Sequence, residues 1–272
     1  MTNFLRVVSF NTAKGDGAYR RRLAGMVEPL RALNADLILL QEALRTTDDR
    51  LDTARHLARA LAMEQTALTV RQKDRFVDGE WRLSWSSPAV LSRWPIAEAH
   101  TLALPWEPAD GERAALAARV VTPIGEVRLV NAHLTHLPTP AVRRSQLATI
   151  LGARWLAEPA DLRVLGGDLN ATADDPELSA LWDGSAGWDA IDAVATGGAS
   201  GGTLVEMATG QARSVRRVDH LVVLRTARDP LVTVLRARLV LGDRPGGLAL
   251  SDHLGVLADL ALPAQGDPGA LV

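Results

Sequence analysis

The chain contains no cysteine. Disulfides, thiolate zinc sites and cysteine nucleophiles are therefore excluded, and any metal must be held by carboxylate, amide or imidazole groups. A positive charge balance is also missing: 30 Lys and Arg stand against 32 Asp and Glu, a formal net charge of -2. No overall field exists to draw in a polyanion, so a nucleic-acid partner would need a local basic patch. No apolar run approaches the roughly 20 residues that span a bilayer. The start, MTNFLRVVSFN, has neither the basic opening nor the long apolar stretch of a secretory signal, so a soluble, cytoplasmic protein is expected. No protein partner is evident. What is present is a globular composition: 47% hydrophobic and 23% charged residues over 272 positions. That is enough apolar material for a substantial core, at a length that large β-sandwiches reach as one unit. The expectation is a single domain over 1–272, with about 263–272 as a flexible tail.

Apolar periodicity gives the organisation. Leu5 to Phe10 reads as a short buried strand ending at Asn11. Leu23, Met26, Val27, Leu30 and Leu33 fall at helical spacing between Tyr19 and Leu33, with Pro29 expected to kink the helix or bound it. A second buried strand runs from Asp36 and exits at Glu42, and a helix follows from Asp49 to Ala62. Gln65 to Leu104 suggests strands broken by loops, one carrying Trp81 and Trp85. Arg113–Val121 and Glu126–His133 form a hairpin across Thr122-Pro-Ile-Gly125. Thr139-Pro140 opens a helix, Leu162–Gly167 is a strand leading to Asp168, and residues 196–214 read as a long mobile loop. Further strands are expected at Arg217–Leu224 and Leu231–Leu241, with Ser251-Asp-His253 opening the last one. Strands outnumber helices, which suggests two sheets packed face to face with helices outside.

Six strand termini carry groups suited to chemistry: Asn11, Glu42, His133, Asp168 with Asn170, Asp219, and Asp252 with His253. Taken singly, each has an ordinary explanation. Asp168 and Asn170 can end a strand as an Asx-turn, Glu42 can be a solvated strand end, and Asp219 can pair with Arg217 at the surface. Their common position at strand ends changes the weighing, because buried carboxylates are costly unless paired or bound to a cation. Were the strands to share one end of a sandwich, the groups would form an oxygen-rich site suited to Mg²⁺ or Mn²⁺, with two imidazoles for proton transfer.

In order along the chain, SFN11, LQE42, VNAH133, GGDLN170, RVD219 and SDH253 resemble the signature of the endonuclease/exonuclease/phosphatase superfamily. That group includes pancreatic deoxyribonuclease, abasic-site endonucleases, neutral sphingomyelinases and inositol polyphosphate phosphatases. The resemblance runs from about Arg6 to Leu262; its one departure is His220, where many relatives carry an aromatic residue. It implies an α/β fold, a four-layer sandwich of two packed, mainly antiparallel β-sheets flanked by helices. By the same resemblance Glu42 is the principal metal ligand, with Asn11 and Asp252 in support. Asp168 orients or deprotonates the attacking water, and Asn170 holds that water or a phosphate oxygen. His253 contacts the phosphate or acts as base, with Asp219 fixing its tautomer. His133 donates to the phosphate or protonates the leaving oxygen.

Outside the motifs, Arg113 is a candidate phosphate clamp, although a solvated arginine is the commoner case, and His136 a candidate at the rim. Trp81, Trp85 and Trp106 either line a pocket for an apolar leaving group or cap the sandwich edge. The expected activity is divalent-metal-dependent phosphoester hydrolysis, most simply of a small or lipid-derived phosphodiester. A DNA or RNA nuclease with the same site is the alternative, possible but not favoured by the charge balance. A non-catalytic binding module is a further alternative, opposed by the completeness of the motif set.

Overall fold

The computed structural model describes residues 4–198, 200–242 and 247–263; the proposed tail from residue 264 onward lies outside them. In chain order the elements are β1 (Phe4–Asn11), α1 (Tyr19–Leu33), β2 (Leu37–Thr46), α2 (Thr53–Leu61), β3 (Glu64–Ala67), β4 (Lys73–Val77), β5 (Glu80–Ser92), β6 (Ile96–Leu104), β7 (Arg113–Thr122) and β8 (Gly125–His133). They continue with α3 (Pro140–Leu151), α4 (Arg154–Ala157), β9 (Leu162–Asp168), a 3-10 turn (Pro176–Leu178), α5 (Ser179–Trp182), β10 (Asp189–Asp192), α6 (Ala193–Thr196), β11 (Asp219–Arg225), β12 (Thr233–Val240) and β13 (Gly255–Ala261).

The strands form two sheets. The first runs β12-β13-β1-β2-β5-β3, with β4 added on β5, and the second runs β10-β11-β9-β8-β7-β6. Pairing is antiparallel except for β1 with β2 and β8 with β9. Side-chain alternation sorts the core into three layers. Val7, Leu37, Leu39, Leu129, Val164, Leu221 and Val223 fill the space between the sheets. Their neighbours Val8, Ile38 and Leu40 point outward against Leu23, Met26 and Leu30 of α1 and Leu57 of α2. On the far side Val130, Leu165 and Val222 pack against Leu147 and Ile150 of α3 and Leu181 of α5. Helices, sheet, sheet, helices: this is the four-layer α/β sandwich.

Local chemistry explains where the elements depart from expectation. Pro29 lies inside α1, which nevertheless continues to Leu33 and closes on a left-handed Asn34. The proline costs the helix one backbone bond, and burial of the Leu23–Met26–Leu30 stripe offsets it. The second helix starts at Thr53 rather than Asp49, because the Asp52 carboxylate accepts the Arg55 N–H and caps it there. Trp81 and Trp85 lie within β5, not in a loop.

Glu42 is not a strand exit, since β2 runs on to Thr46. Instead it sits in a β-bulge: the register jumps from Leu40 opposite Ala89 to Ala43 opposite Ser87. Gln41 and Glu42 thus face a single residue, Pro88, which has no N–H to give the ladder. Glu42 takes a positive φ of 53° as a result.

Two glycines before Asp168 set how closely the strands approach. A Cβ at Gly166 would lie 2.6 Å from Leu39 Cδ1 of the opposite sheet. Gly167 has φ +140°, and a Cβ there would come within 1.9 Å of the Ala132 carbonyl oxygen on β8. Gly167→Ala is expected to lower stability by about 2 kcal/mol or more, from backbone strain and overpacking together. Urea unfolding measures it; an unchanged midpoint would contradict the β8–β9 register described.

Candidate active site

Three chemistry-bearing residues occupy one row across the second sheet. His133 on β8 is the register partner of Asp168 on β9, which is in turn the partner of Asp219 on β11. The row continues the parity of Leu129, Val164 and Leu221, so its side chains enter the space between the sheets at one end. Asn11, at the end of β1, meets it from the first sheet, with Nδ2 donating to Asp168 Oδ2 at 3.0 Å. His253 also comes from that side, 2.8 Å from Asp219 Oδ2 through Nδ1 and 3.7 Å from Asp168 Oδ2 through Nε2. His133 Nε2 stands 3.5 Å from the same Asp168 oxygen. The Asp168 Oδ1 accepts the Asn170 N–H at 2.9 Å. Asn170 itself, at φ 52°, gives one amide hydrogen to the Leu134 carbonyl at 3.0 Å.

Short side chains hold this arrangement. Ser251 Oγ donates to the Asn11 carbonyl at 2.7 Å and accepts the His253 N–H at 3.2 Å, tying the last motif to the first. Thr203 Oγ1 accepts the N–H groups of Val218 at 3.1 Å and Asp219 at 3.4 Å. Thr203 belongs to the segment read as a mobile loop; it is buried, and Leu204 bridges His253. Its Ser, Thr and Gly content gives small hydrogen-bonding groups that fit beneath the site. Deeper in, Gln41 Nε2 donates to Asn131 Oδ1 at 2.8 Å across the two sheets. Asn131 Nδ2 then donates to the carbonyls of Leu40 at 2.7 Å and Ala89 at 2.8 Å, the two flanking the bulge.

Burial and charge set the protonation states. Burial, with Asp219 adding to it, raises the Asp168 carboxyl to about 7, against the opposing pull of His253. For His253 burial alone would favour the neutral ring, but Asp219 and Asp168 outweigh it and lift the imidazole to about 10. His133 goes the other way: burial first, then Arg113, Arg71, His253 and Lys14, hold it well below the ordinary value. The two imidazoles are thus set apart, one charged and one neutral at neutral pH.

The expected ligands divide in their surroundings. Glu42 is buried, and both its oxygens face the Lys14 ammonium, at 3.2 and 3.3 Å. Asn11 Oδ1 accepts the Ala13 N–H at 3.0 Å. Asp252 is half-buried, with Oδ1 3.3 Å from the Ser251 hydroxyl. Among the described residues the group of three or more carboxylate and imidazole ligand atoms that all lie within 4.8 Å of one another is that of Asp168, Asp219 and His253, which omits Glu42 and Asp252. The donor chemistry fits a hard divalent cation: the groups are oxygen-rich, Glu42 already accepts a positive charge, and Asp219 Oδ1 is buried with no hydrogen-bond partner.

Arg113 is not a solvated side chain. It is buried at the start of β7, with Nε and Nη2 on Asp110 at 2.8 and 2.7 Å. Nη1 donates to the His133 carbonyl at 3.1 Å, and Nη2 lies 3.3 Å from His136 Nδ1. It organises His133 and His136 rather than standing free as a clamp. Arg217 pairs with Asp192, so Asp219 is free of the surface ion pair open to it in the sequence. Trp81 stacks edge-on against Phe76, and the Arg45 guanidinium lies over Trp85. Lys14, Arg71, Lys73 and Asp110 also border the site. Sequence reasoning passed over them; the alternation Arg71-Gln-Lys73-Asp-Arg75 was the signal that could have found two of them, whereas Lys14 and Asp110 stand alone in loops. A cavity of about 930 Å³ opens at the opposite end of the second sheet, lined in part by Asp161, Arg163 and Arg228, and includes none of these residues.

Comparison with known proteins agrees with this fold. None of the curated proteins matches the chain significantly. Among solved structures, an endonuclease/exonuclease/phosphatase from Beutenbergia cavernae DSM 12333 superposes with a TM-score of 0.71 at 25% identity, over 96% of this chain and 72% of that one. One from Bacteroides vulgatus gives 0.70 at 20% identity, over 96% and 100%. TDP2 from D. rerio, complexed with a single strand DNA product, gives 0.72 at 19% identity, over 95% and 99%. The model of the Endonuclease/Exonuclease/phosphatase family matches residues 8–253, from β1 through the His253 motif, and the chain belongs to that family of metal-dependent phosphoester hydrolases.

Proposed function

We propose that this enzyme hydrolyses a small or lipid-derived phosphodiester with Mg²⁺ or Mn²⁺, by in-line attack of water. The observation that carries the reading is the row Asp219–Asp168–His133, met from the opposite sheet by Asn11 and His253. Asp168, whose proton leaves near neutrality, accepts the proton of the attacking water. Asn170 holds that water with its remaining amide hydrogen. His253, an imidazolium at neutral pH, directs its Nε2–H at the phosphate and is the group able to protonate the leaving oxygen. Asp219 is a positioning residue that fixes the other ring nitrogen. His133, neutral, gives a hydrogen bond to a phosphoryl oxygen, and Arg113 positions it through its carbonyl. His136 stands at the rim. A divalent cation, when bound, supplies charge neutralisation at the phosphoryl oxygens; Glu42 and Asn11 would hold it, with Asp252 as a further candidate.

A second reading, nuclease action on single strands, is favoured by one observation, the several cations gathered around Asp110. A substrate panel separates the two: an aryl phosphodiester, sphingomyelin, single-stranded DNA and plasmid, each with added metal at about 0.15 M salt. Turnover on the aryl diester or the lipid is expected to exceed plasmid nicking, and to vanish with a chelator. Glu42→Gln is expected to raise the metal concentration needed for half-maximal rate, with part of the rate recovered at high metal. Full turnover in metal-stripped protein would sink the mechanism.

Asp168→Asn and His253→Ala are each expected to lower kcat by about 10²–10⁴-fold with the fold retained. Asp219→Asn should reproduce part of the His253→Ala loss, and the double variant should fall short of the product of the two. Simple multiplication would count against the pairing.

Stability carries a pH signature as well. The folded His253 holds its proton to about 10, above its ordinary value of 6.5, so its contribution is full below 6.5 and is lost as pH rises through 10. Asp168 has the same sign, its folded value of about 7 lying above 3.8, and its share falls away by neutrality. The thermal midpoint of the chelated protein is therefore expected to fall from about pH 7 to about pH 9, and His253→Gln to flatten that slope. A rising midpoint over this interval would contradict the assigned protonation states.

A further inference from the structure

Beside the row of catalytic candidates lies a group of cations of which the proposed chemistry uses only Arg113. Arg71 and Lys73 approach the site from the start of β4, and Arg113 from the start of β7. All three converge on one residue, Asp110, which is fully buried. Arg71 Nη2 lies 3.1 Å from Asp110 Oδ1, and its Nε donates to the Asp110 carbonyl at 3.2 Å. Lys73 Nζ donates to that carbonyl at 3.3 Å. Arg113 occupies both carboxylate oxygens. Two guanidinium groups thus share the Asp110 carboxylate, with Lys73 against its carbonyl and Glu42 the other carboxylate acting on Arg71. Among the described residues Lys73 forms no ion pair with a carboxylate, and neither does the neighbouring Arg75, whose guanidinium is spent on the carbonyls of Arg71, Lys73 and Ser84.

Such an excess is costly to gather. Burial and mutual repulsion together lower the proton affinity of Arg71, Lys73 and Arg75 alike. The backbone adds to the cost, because Arg71 is a non-glycine residue at φ 61°. Gly111, at φ +86°, lies beside the Lys73 side chain, where a Cβ would make ordinary contact with Cε at 3.4 Å. Arg113 joins the cluster to the reaction centre through the His133 carbonyl. The same β4 strand reaches the loop bearing Lys14, where Val77 Cγ2 lies 2.5 Å from the place of a Cβ on Gly15. An anion bound by Arg71 and Lys73 would relieve the repulsion, and Arg113 alone separates those two side chains' common partner, Asp110, from the His133 carbonyl.

We propose that Arg71 and Lys73 form a subsite for a second phosphate group carried by the same substrate, so that the preferred substrate is a phosphoester bearing two phosphates. The identity of the reacting group rests on the phosphoesterase reading above; the subsite rests on the cation cluster. The second phosphate can belong to a small bisphosphorylated ester or to the next nucleotide of a strand. A phosphate offers acceptors for the free donors of both side chains, and charge-assisted bonds of this kind are worth about tenfold or more in affinity.

The test has a binding arm and a turnover arm, both on the full chain. In calorimetry of the chelated protein, thymidine 3′,5′-bisphosphate is expected to bind about tenfold more tightly than thymidine 5′-monophosphate. In turnover with metal, the 3′-phosphorylated p-nitrophenyl ester of thymidine 5′-phosphate is expected to exceed its unphosphorylated counterpart in kcat/KM by a similar factor. Lys73→Gln and Arg71→Gln should each bring both ratios towards one, and Arg228→Gln, which removes an exposed charge by the far cavity, should preserve them. Lys73 is exposed and bonded only to a carbonyl, so its substitution tests the idea even if Arg71→Gln fails to fold. A dinucleotide ester distinguishes the sources: higher kcat/KM than the bisphosphate supports a strand, lower a small bisphosphate. Equal affinity for the mono- and bisphosphate, or a preference that survives both substitutions, overturns the subsite. Binding preference without any turnover would instead remove the phosphoesterase reading and leave the subsite standing.

Discussion

The contact between His253 and Asp219 joins the two sheets at the point where their apolar filling ends. Asp168 and Asp219 are register partners on adjacent strands, facing inward with almost no exposure. Two carboxylates so placed are unstable together unless a positive charge stands between them or one keeps its proton. Both remedies are present: the imidazole from the other sheet holds its proton to about 10, and Asp168 holds its own to about 7. The same charge arrangement that lets the sheets close over these groups leaves a carboxyl ready to exchange a proton near neutrality.

Backbone shape does the rest of the positioning. Alternation along β2 would send residue 42 to the outer face, with Ile38 and Leu40. Pro88, lacking an N–H, interrupts the ladder opposite it, and the bulge that follows turns Glu42 out of that pattern. The bulge leaves the carbonyls of Leu40 and Ala89 to be satisfied by other donors, and Asn131 from the facing sheet supplies both hydrogens of one amide. Gln41 then locks that amide from the other end. One imino acid in β5, one carboxamide in β8 and one in β2 therefore fix the distance and register between sheets just below the reaction centre.

Much of this was legible in the sequence, for reasons specific to each part. Strands such as β1, β9 and β11 are short, β-branched and buried on both faces, so their apolar runs announce them. The motif residues could be read because each sits where such a run stops. Geometry that depends on pairing could not be read. Glu42 looks like a strand end because the bulge is visible only when Pro88 is known to lie opposite. Thr203 looks like loop filler because its role depends on Val218 and Asp219, which are distant in sequence. Arg113 looks solvated until Asp110, three residues earlier, folds back to take its guanidinium.

Net charge is silent about any one region for a related reason. A balance of -2 describes the whole surface, whereas recognition depends on how charge is distributed around one mouth. Many of the acids are spent on surface pairs away from the site, as in Asp49 with Arg45, Glu98 with Arg119 and Asp189 with Arg225. Beside the site, Lys14, Arg71, Lys73, Arg75 and Arg113 come from three separate stretches of chain that β4 and β7 bring together, and the carboxylates Glu42 and Asp110 pair with three of them. One of those stretches, Arg71-Gln-Lys73-Asp-Arg75, is a basic alternation present in the sequence, whereas Lys14 and Arg113 have no basic neighbour beside them. What the sequence hides is which carboxylates they meet: Lys14, Arg71 and Arg113 find one in the folded chain, whereas Lys73 and Arg75 form no ion pair among the described residues. A chain of net charge -2 can therefore still gather cations beside one site. On the proposed reading such a cluster would discriminate substrates by the number and placement of their phosphates, rather than draw in polyanions as a class.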